Sequence, residues 1–227
     1  MYKLIIVIFM FSSLHIFSQS ASFKVIEVKG TVDIKDRLGE WKAPVEGDFL
    51  LNGTEIFTGL HSHISLEIGS ESYITVNQLS NIMLDAMRVQ KELISSEIYL
   101  VNGFVIVNAK DTDSYKNKVT VSFMDGRAVF KKAGGEIYLR KEYGAIITAG
   151  SGSISITSQL VNAYTIRKGE RCAILPGGKQ LTNEYFLMHN ITSPAIGANS
   201  EMEGDLYMSR FHNFYTDSIN SNDYGTR

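Results

Sequence analysis

His61 and His63 are the first residues whose type and spacing suggest chemistry. Two apart on a strand, their imidazoles would share a face and could begin a zinc site. Such a site needs three or four ligands, and the nearest carboxylates, Glu67 and Glu71, stand at no spacing that completes one. The expectation is two solvent-facing residues beside a turn, and no metal. Paired acids could serve glycoside hydrolysis. Glu97, Asp111, Asp113, Asp125 and Glu136 supply the groups, but no spacing singles out a pair. Gly150-Ser-Gly-Ser153 has some letters of a nucleophile elbow, yet it precedes a strand instead of joining strand to helix. Gly134-Gly135 likewise precedes a strand, so no helix N-terminus follows to hold phosphate. Tyr138, Tyr143, Tyr164, Tyr185 and Phe186 could line a sugar-binding face, although such residues more often fill cores or pair across strands. No catalytic, cofactor or metal constellation emerges, and the chain reads as a non-enzyme. The single cysteine, Cys172, has no internal disulfide partner and reads as a small buried hydrophobe in the strand-like run Arg171-Cys-Ala-Ile-Leu175.

The elements that would carry these residues begin after a leader. Lys3 supplies a positive start, Leu4 to Phe17 an apolar stretch, and Ser18-Gln19-Ser20 small residues for cleavage before Ala21. The apolar stretch is short for a bilayer of ~30 Å, so residues 1–20 are expected to be a cleaved signal peptide and the mature chain a periplasmic or otherwise exported protein with no membrane span. Removing Lys3 would move the formal net charge from −2 to −3. That is too mild to imply nucleic acid or an acidic membrane surface as partner.

Beyond the leader, period-two alternation broken by glycine predicts an all-β fold. Gly47 to Leu84 shows it most densely, with Ile64, Leu66 and Ile68 on one face of a strand. Strands are expected near 23–35, 40–43, 49–58, 62–68, 72–77, 80–85, 97–108, 117–132, 136–148, 153–167 and 171–175. Asn52-Gly53 is the strongest hairpin signal. Ala86 to Ile94 is the one segment within the domain expected to be helical. Gly30, Gly103 and Gly152 each precede an alternating strand and are expected at corners. From 182 to 227 the chain is rich in Asn, Ser and Gly, an irregular extension with a short helix expected near 205–216. Within it Tyr207, Phe211, Phe214 and Tyr215 fall at helical spacing on one face, the expected partner contact.

With the corners in place, residues 21–181 resemble the FecR domain of bacterial envelope proteins. Val28-Lys-Gly-Thr-Val-Asp-Ile34 looks like the opening glycine strand, and Trp41 like the tryptophan before the central motif. Gly47-Asp-Phe-Leu-Leu-Asn-Gly-Thr-Glu-Ile56 is similar to the family's G-D step, with Thr54-Glu55 at the position the family fills with a charge. Gly69-Ser70, Val101-Asn-Gly103 and Lys168-Gly-Glu170 resemble later corners. The resemblance implies a solenoid-like or sandwich-like body of short strands, export and no catalysis. Family members that regulate iron uptake are membrane-spanning anti-sigma regulators. Here the FecR-like region follows the leader at once, which leaves no room for their cytoplasmic part. The expected function is a non-enzymatic exported binding or scaffold module that acts by protein–protein interaction. The alternatives are a structural subunit that self-associates in a periplasmic or surface assembly, and a carbohydrate-binding protein.

Overall fold

The computed structural model describes residues 22–188, apart from 70 and 161. The fold is all-β. Its seventeen strands form one open hydrogen-bonded sheet that doubles over into two facing layers. The first layer runs from edge to edge through β4 (Phe49–Leu50), β1 (Phe23–Lys29), β6 (His63–Ile68), β7 (Ser72–Val76), the second half of β9 (Leu93–Ala109), β12 (Ala133–Arg140), β13 (Gly144–Ser151), β16 (Arg171–Ile174) and β17 (Gln180–Leu181). The second runs through β3 (Trp41–Lys42), β2 (Val32–Lys35), β5 (Glu55–Thr58), β8 (Asn81–Gln90), the first half of β9, β10 (Lys116–Phe123), β11 (Gly126–Lys131), β14 (Ser153–Ser158) and β15 (Tyr164–Arg167). Neighbours are antiparallel except β9 and β10, which run parallel. No helix among the described residues is long and apolar enough to cross a membrane.

Alternation explains the packing. Ile64, Leu66 and Ile68 of β6 face Ile34, Ile56 and Ile82 of the opposite layer in one buried core. Each such side chain contributes about 1.5–3 kcal/mol relative to exposure. The chain builds this core by a repeated move: a hairpin within one layer, then a corner into the other.

Gly30, Gly103 and Gly152 stand at such corners, each with positive φ. At Gly103 the chain passes between layers without leaving β9. Its φ is +110°, and a Cβ there would lie 2.5 Å from the Cα of Ser80. The space it leaves lets Ser80 Oγ accept the Phe104 N–H at 2.9 Å. Gly30 repeats the device: Ser62 fills the space and accepts the Thr31 N–H at 2.8 Å. In both cases the residue before the serine, His61 or Leu79, takes up the left-handed conformation and the serine hydroxyl donates to the carbonyl two residues back.

Several elements differ from the sequence expectation. Ala86 to Ile94 is not helical; β8 turns at Lys91-Glu92 into β9, with Val89 opposite Ile94. A bulge between Leu84 and Ala86 sets the buried Leu84 and Met87 three positions apart. That spacing imitates a helix while the residues stay in a strand. Asn52-Gly53 forms no hairpin. β4 and β5 lie in different layers, and the turn docks on the β8 bulge, with Gly53 N–H donating to Leu84 O and Met87 N–H to Asn52 Oδ1 at 3.1 Å. The stretch 117–132 is a hairpin, closed at Met124-Asp125 with Phe123 opposite Gly126. Residues 136–148 and 153–167 each likewise contain two strands. Immediately beyond β17, α1 (Asn183–Met188) lies over the outer face of the first layer.

Gly103→Ala is expected to lower the unfolding free energy by about 2–5 kcal/mol, from left-handed strain plus overpacking against Ser80. Gly169→Ala, where a Cβ would meet nothing within 4 Å, is expected to cost only about 1–2 kcal/mol. Urea denaturation of the two variants checks this; equal costs would remove the Ser80 contact from the account.

Candidate functional site

The segment between β2 and β5 gathers exposed apolar side chains on the edge made by β3 and β4. Leu38 is 86% exposed, and Trp41, Val45, Phe49 and Leu51 are each more than half exposed. Five of the fifteen exposed large hydrophobics among the described residues thus fall within fourteen residues of chain. Local hydrogen bonds hold them outward. Asp36 Oδ1 accepts from the N–H groups of Leu38 and Glu40 at 2.8 and 3.1 Å, and so fixes the tight turn that thrusts Leu38 into solvent. Asp48 Oδ2 accepts from the Val45 N–H at 3.0 Å and fixes the next turn. In β4 only Leu50 points inward. Three consecutive apolar residues cannot all face one side of a strand, so Phe49 and Leu51 remain outside.

Trp41 is held firmly although it is exposed. Its ring stands 5.0 Å from that of Phe57. Lys35 Nζ lies 5.9 Å from the Trp41 ring centroid and 3.7 Å from Glu55 Oε1. A large aromatic already fixed in place loses little entropy when a partner covers it. In the sequence, Trp41 and Gly47-Asp48 read as marks of a family resemblance and 49–58 as one strand. The signal in the sequence that marks this site is the position of these apolar residues in turns.

The other candidates scatter. Tyr207, Phe211, Phe214 and Tyr215 lie outside the described residues, as do residues 1–20 and the segment 205–216. His61 sits in the corner before β6, not on the strand, so it does not share a strand face with His63. His63 Nε2 pairs with Glu27 Oε1 at 3.2 Å. Among the described residues no three His, Cys, Asp or Glu groups converge on a possible metal position. Asp111 and Asp113 share the loop before β10, while Glu97, Asp125 and Glu136 fall on separate elements. Asp111 caps the Asn117 N–H at 2.9 Å and pairs with Lys132 at 3.4 Å. Glu97 faces outward from the second layer and Glu136 lies on the first. Burial pushes the Glu136 carboxyl above its ordinary value.

The aromatics proposed for a sugar face serve a second small core. Tyr138 of β12 and Phe186 of α1 are buried, with Tyr143 and Tyr185 packed against them where α1 meets the first layer. Arg140 stacks 5.0 Å from the Tyr138 ring centroid and Arg171 5.8 Å from that of Phe186. Tyr164 packs instead on the main core. Cys172 is fully buried, and desolvation pushes its thiol up to about 12.

No protein-family model matches this chain, and no curated protein matches it significantly. Two solved structures of a proposed anti-sigma factor from Parabacteroides distasonis ATCC 8503 are similar to it at 10% and 9% identity, with TM-scores of 0.46 and 0.45. Each likeness covers 56% of this chain and 57% of that one, so the match spans little more than half of either.

Two measurements check these assignments. Cys172 is expected to resist iodoacetamide at pH 8 until the chain is unfolded; rapid labelling of the native protein would contradict its burial. Because the Glu136 carboxyl is raised in the fold, its ionisation disfavours folding above the ordinary value near 4.5. Glu136→Gln is therefore expected to raise stability at pH 7, and the gain to vanish below that value. A gain that grew on acidification would overturn the assignment.

Proposed function

We propose that this chain is a non-enzymatic module, exported to the bacterial envelope, that acts by binding another envelope protein through the β3–β4 edge. The observation that carries the proposal is the concentration of exposed Leu38, Trp41, Val45, Phe49 and Leu51 around two-residue edge strands. Contiguous exposed apolar surface marks interaction sites, and fixed Trp residues are frequent anchors of binding energy. Short edge strands also leave backbone groups of β1 and β2 open to an added strand. The leader-like residues 1–20 and the FecR-like pattern support the envelope part of the reading.

A second reading has its own support. The layers end at β3 and β4 on one side and at β15 and β17 on the other. Copies could therefore add edge to edge as subunits of an assembly.

One experiment separates the two. A benzophenone-bearing residue at position 38 of the full chain, activated in cells, is expected to yield one discrete adduct whose mass identifies a different protein. Trp41→Ser combined with Phe49→Ser is expected to abolish that adduct while leaving the denaturation midpoint within a few degrees, since both side chains are exposed. An adduct of twice the chain's mass would select self-assembly. The absence of any adduct would remove this edge as the interface.

A further inference from the structure

The outer face of the second layer, over its C-terminal half, carries different chemistry. Register arranges its side chains in rows across β9, β10, β11, β14 and β15. In one row Lys118 stands directly opposite Lys131. The pairing of Phe130 with Ile154 sets Ser153 beside Lys131, and Arg167 lies opposite Ser153. In the next row Glu97, Thr120, Val129, Ser155 and Thr165 follow one another. In the third, Tyr99 lies beside Ser122, Ser122 meets Arg127, and Arg127 meets Thr157. At ~4.8 Å per strand, a row of five spans about 19 Å. The rows line a groove of about 450 Å³.

Three features of this groove are unexplained by folding. Like charges directly opposite on neighbouring strands repel, yet Lys118 and Lys131 are so placed. None of Lys118, Arg127, Lys131 and Arg167 forms an ion pair among the described residues. Glu97 is the one acid lining the groove, so the face is cationic in a chain whose formal net charge is −2. Finally, Thr120 on the groove floor is only 5% exposed and its Oγ1 has no hydrogen-bond partner. A buried hydroxyl without a partner is costly.

The geometry points to a binding site for an anionic polysaccharide, whose carboxylates meet Lys118, Arg127 and Lys131 while its hydroxyls meet Glu97 and the Ser and Thr ladder. Serine and threonine hydroxyls both donate and accept, as sugar hydroxyls do. Guanidinium and ammonium groups bind carboxylates through short charge-assisted hydrogen bonds. Other polyanions fit less well. Single-stranded nucleic acid requires a series of aromatic stacking platforms, whereas the rows hold one aromatic ring, Tyr99, which lies beside Ser122 and outside the groove lining. A bilayer surface favours apolar side chains that insert, and Val129 is the only large apolar side chain lining the groove. This site is separate from the β3–β4 edge and does not rest on its assignment.

Titration calorimetry of the full chain with a decamer of galacturonic acid tests the proposal, with maltodecaose as the neutral control. Binding of the acidic decamer is expected, weakening as ionic strength rises, with none of the neutral one. Lys118→Gln with Lys131→Gln is expected to weaken binding by about tenfold or more, as loss of two charge-assisted bonds implies. The double variant is expected to be at least as stable as the parent, because it removes a repulsion. Thr120→Val is expected to weaken binding without lowering stability, and Lys24→Gln on β1 to change nothing. Failure of the decamer to bind, equal binding of the neutral decamer, or affinity unaffected by the lysine changes would each overturn the proposal. So would adsorption to phosphatidylglycerol vesicles without binding of the decamer, which would make the face a membrane contact.

Discussion

The packing of Ser80 against the bare Cα of Gly103 is the joint on which both layers depend. Before Gly103, β9 pairs with β8 and β10; after it, with β7 and β12. A side chain at position 103 would push Ser80 away, and the Phe104 N–H would lose its acceptor. The change of layer also consumes the ladder partners of the strand, and the structure replaces them locally. Asn77 N–H donates to Phe104 O at 2.9 Å, and Ser80 N–H to Thr58 Oγ1 at 2.9 Å. The corner is thus a polar knot inside an apolar body, stable because each of these backbone groups finds a partner.

Repetition of that joint shapes the surfaces. A body that grows by alternating hairpins and corners has two ends and two outer faces, and each meets solvent differently. At the N-terminal end, strands of two residues leave apolar side chains outside. Over the C-terminal half, α1 covers the first layer, and Tyr138, Ile146, Ala173 and Phe186 form a second core there. The opposite face has no such cover among the described residues and presents hydroxyls and cations. The apolar edge and the polar groove therefore share no residues.

Much of this was legible in the chain itself. Period-two alternation is a local property, so the all-β class followed from it, as did the inward faces of strands such as Ile64-Ser-Leu-Glu-Ile68. The glycine corners were legible too, since positive φ is most readily supplied by residues without a Cβ. Burial of Cys172 followed from its apolar neighbours. The helix expected at Ala86 to Ile94 failed because one bulge residue makes a strand imitate helical spacing. Asn52-Gly53 misled because its turn chemistry is the same whether the next strand stays in the layer or leaves it.

What each surface is for depended on partners distant in sequence. Nothing local to Lys118 announces that Lys131 will face it across a hairpin, or that Ser153 and Arg167 will continue the row. Nothing local to Tyr138 and Phe186 shows that a six-residue helix brings them together. Alternation tells a residue which way to point, while strand register decides what it points beside. The residues themselves determined the class of fold and its corners; tertiary pairing alone decided which side chains share an edge, a core or a groove, because register is set by contacts that form only when the whole sheet closes.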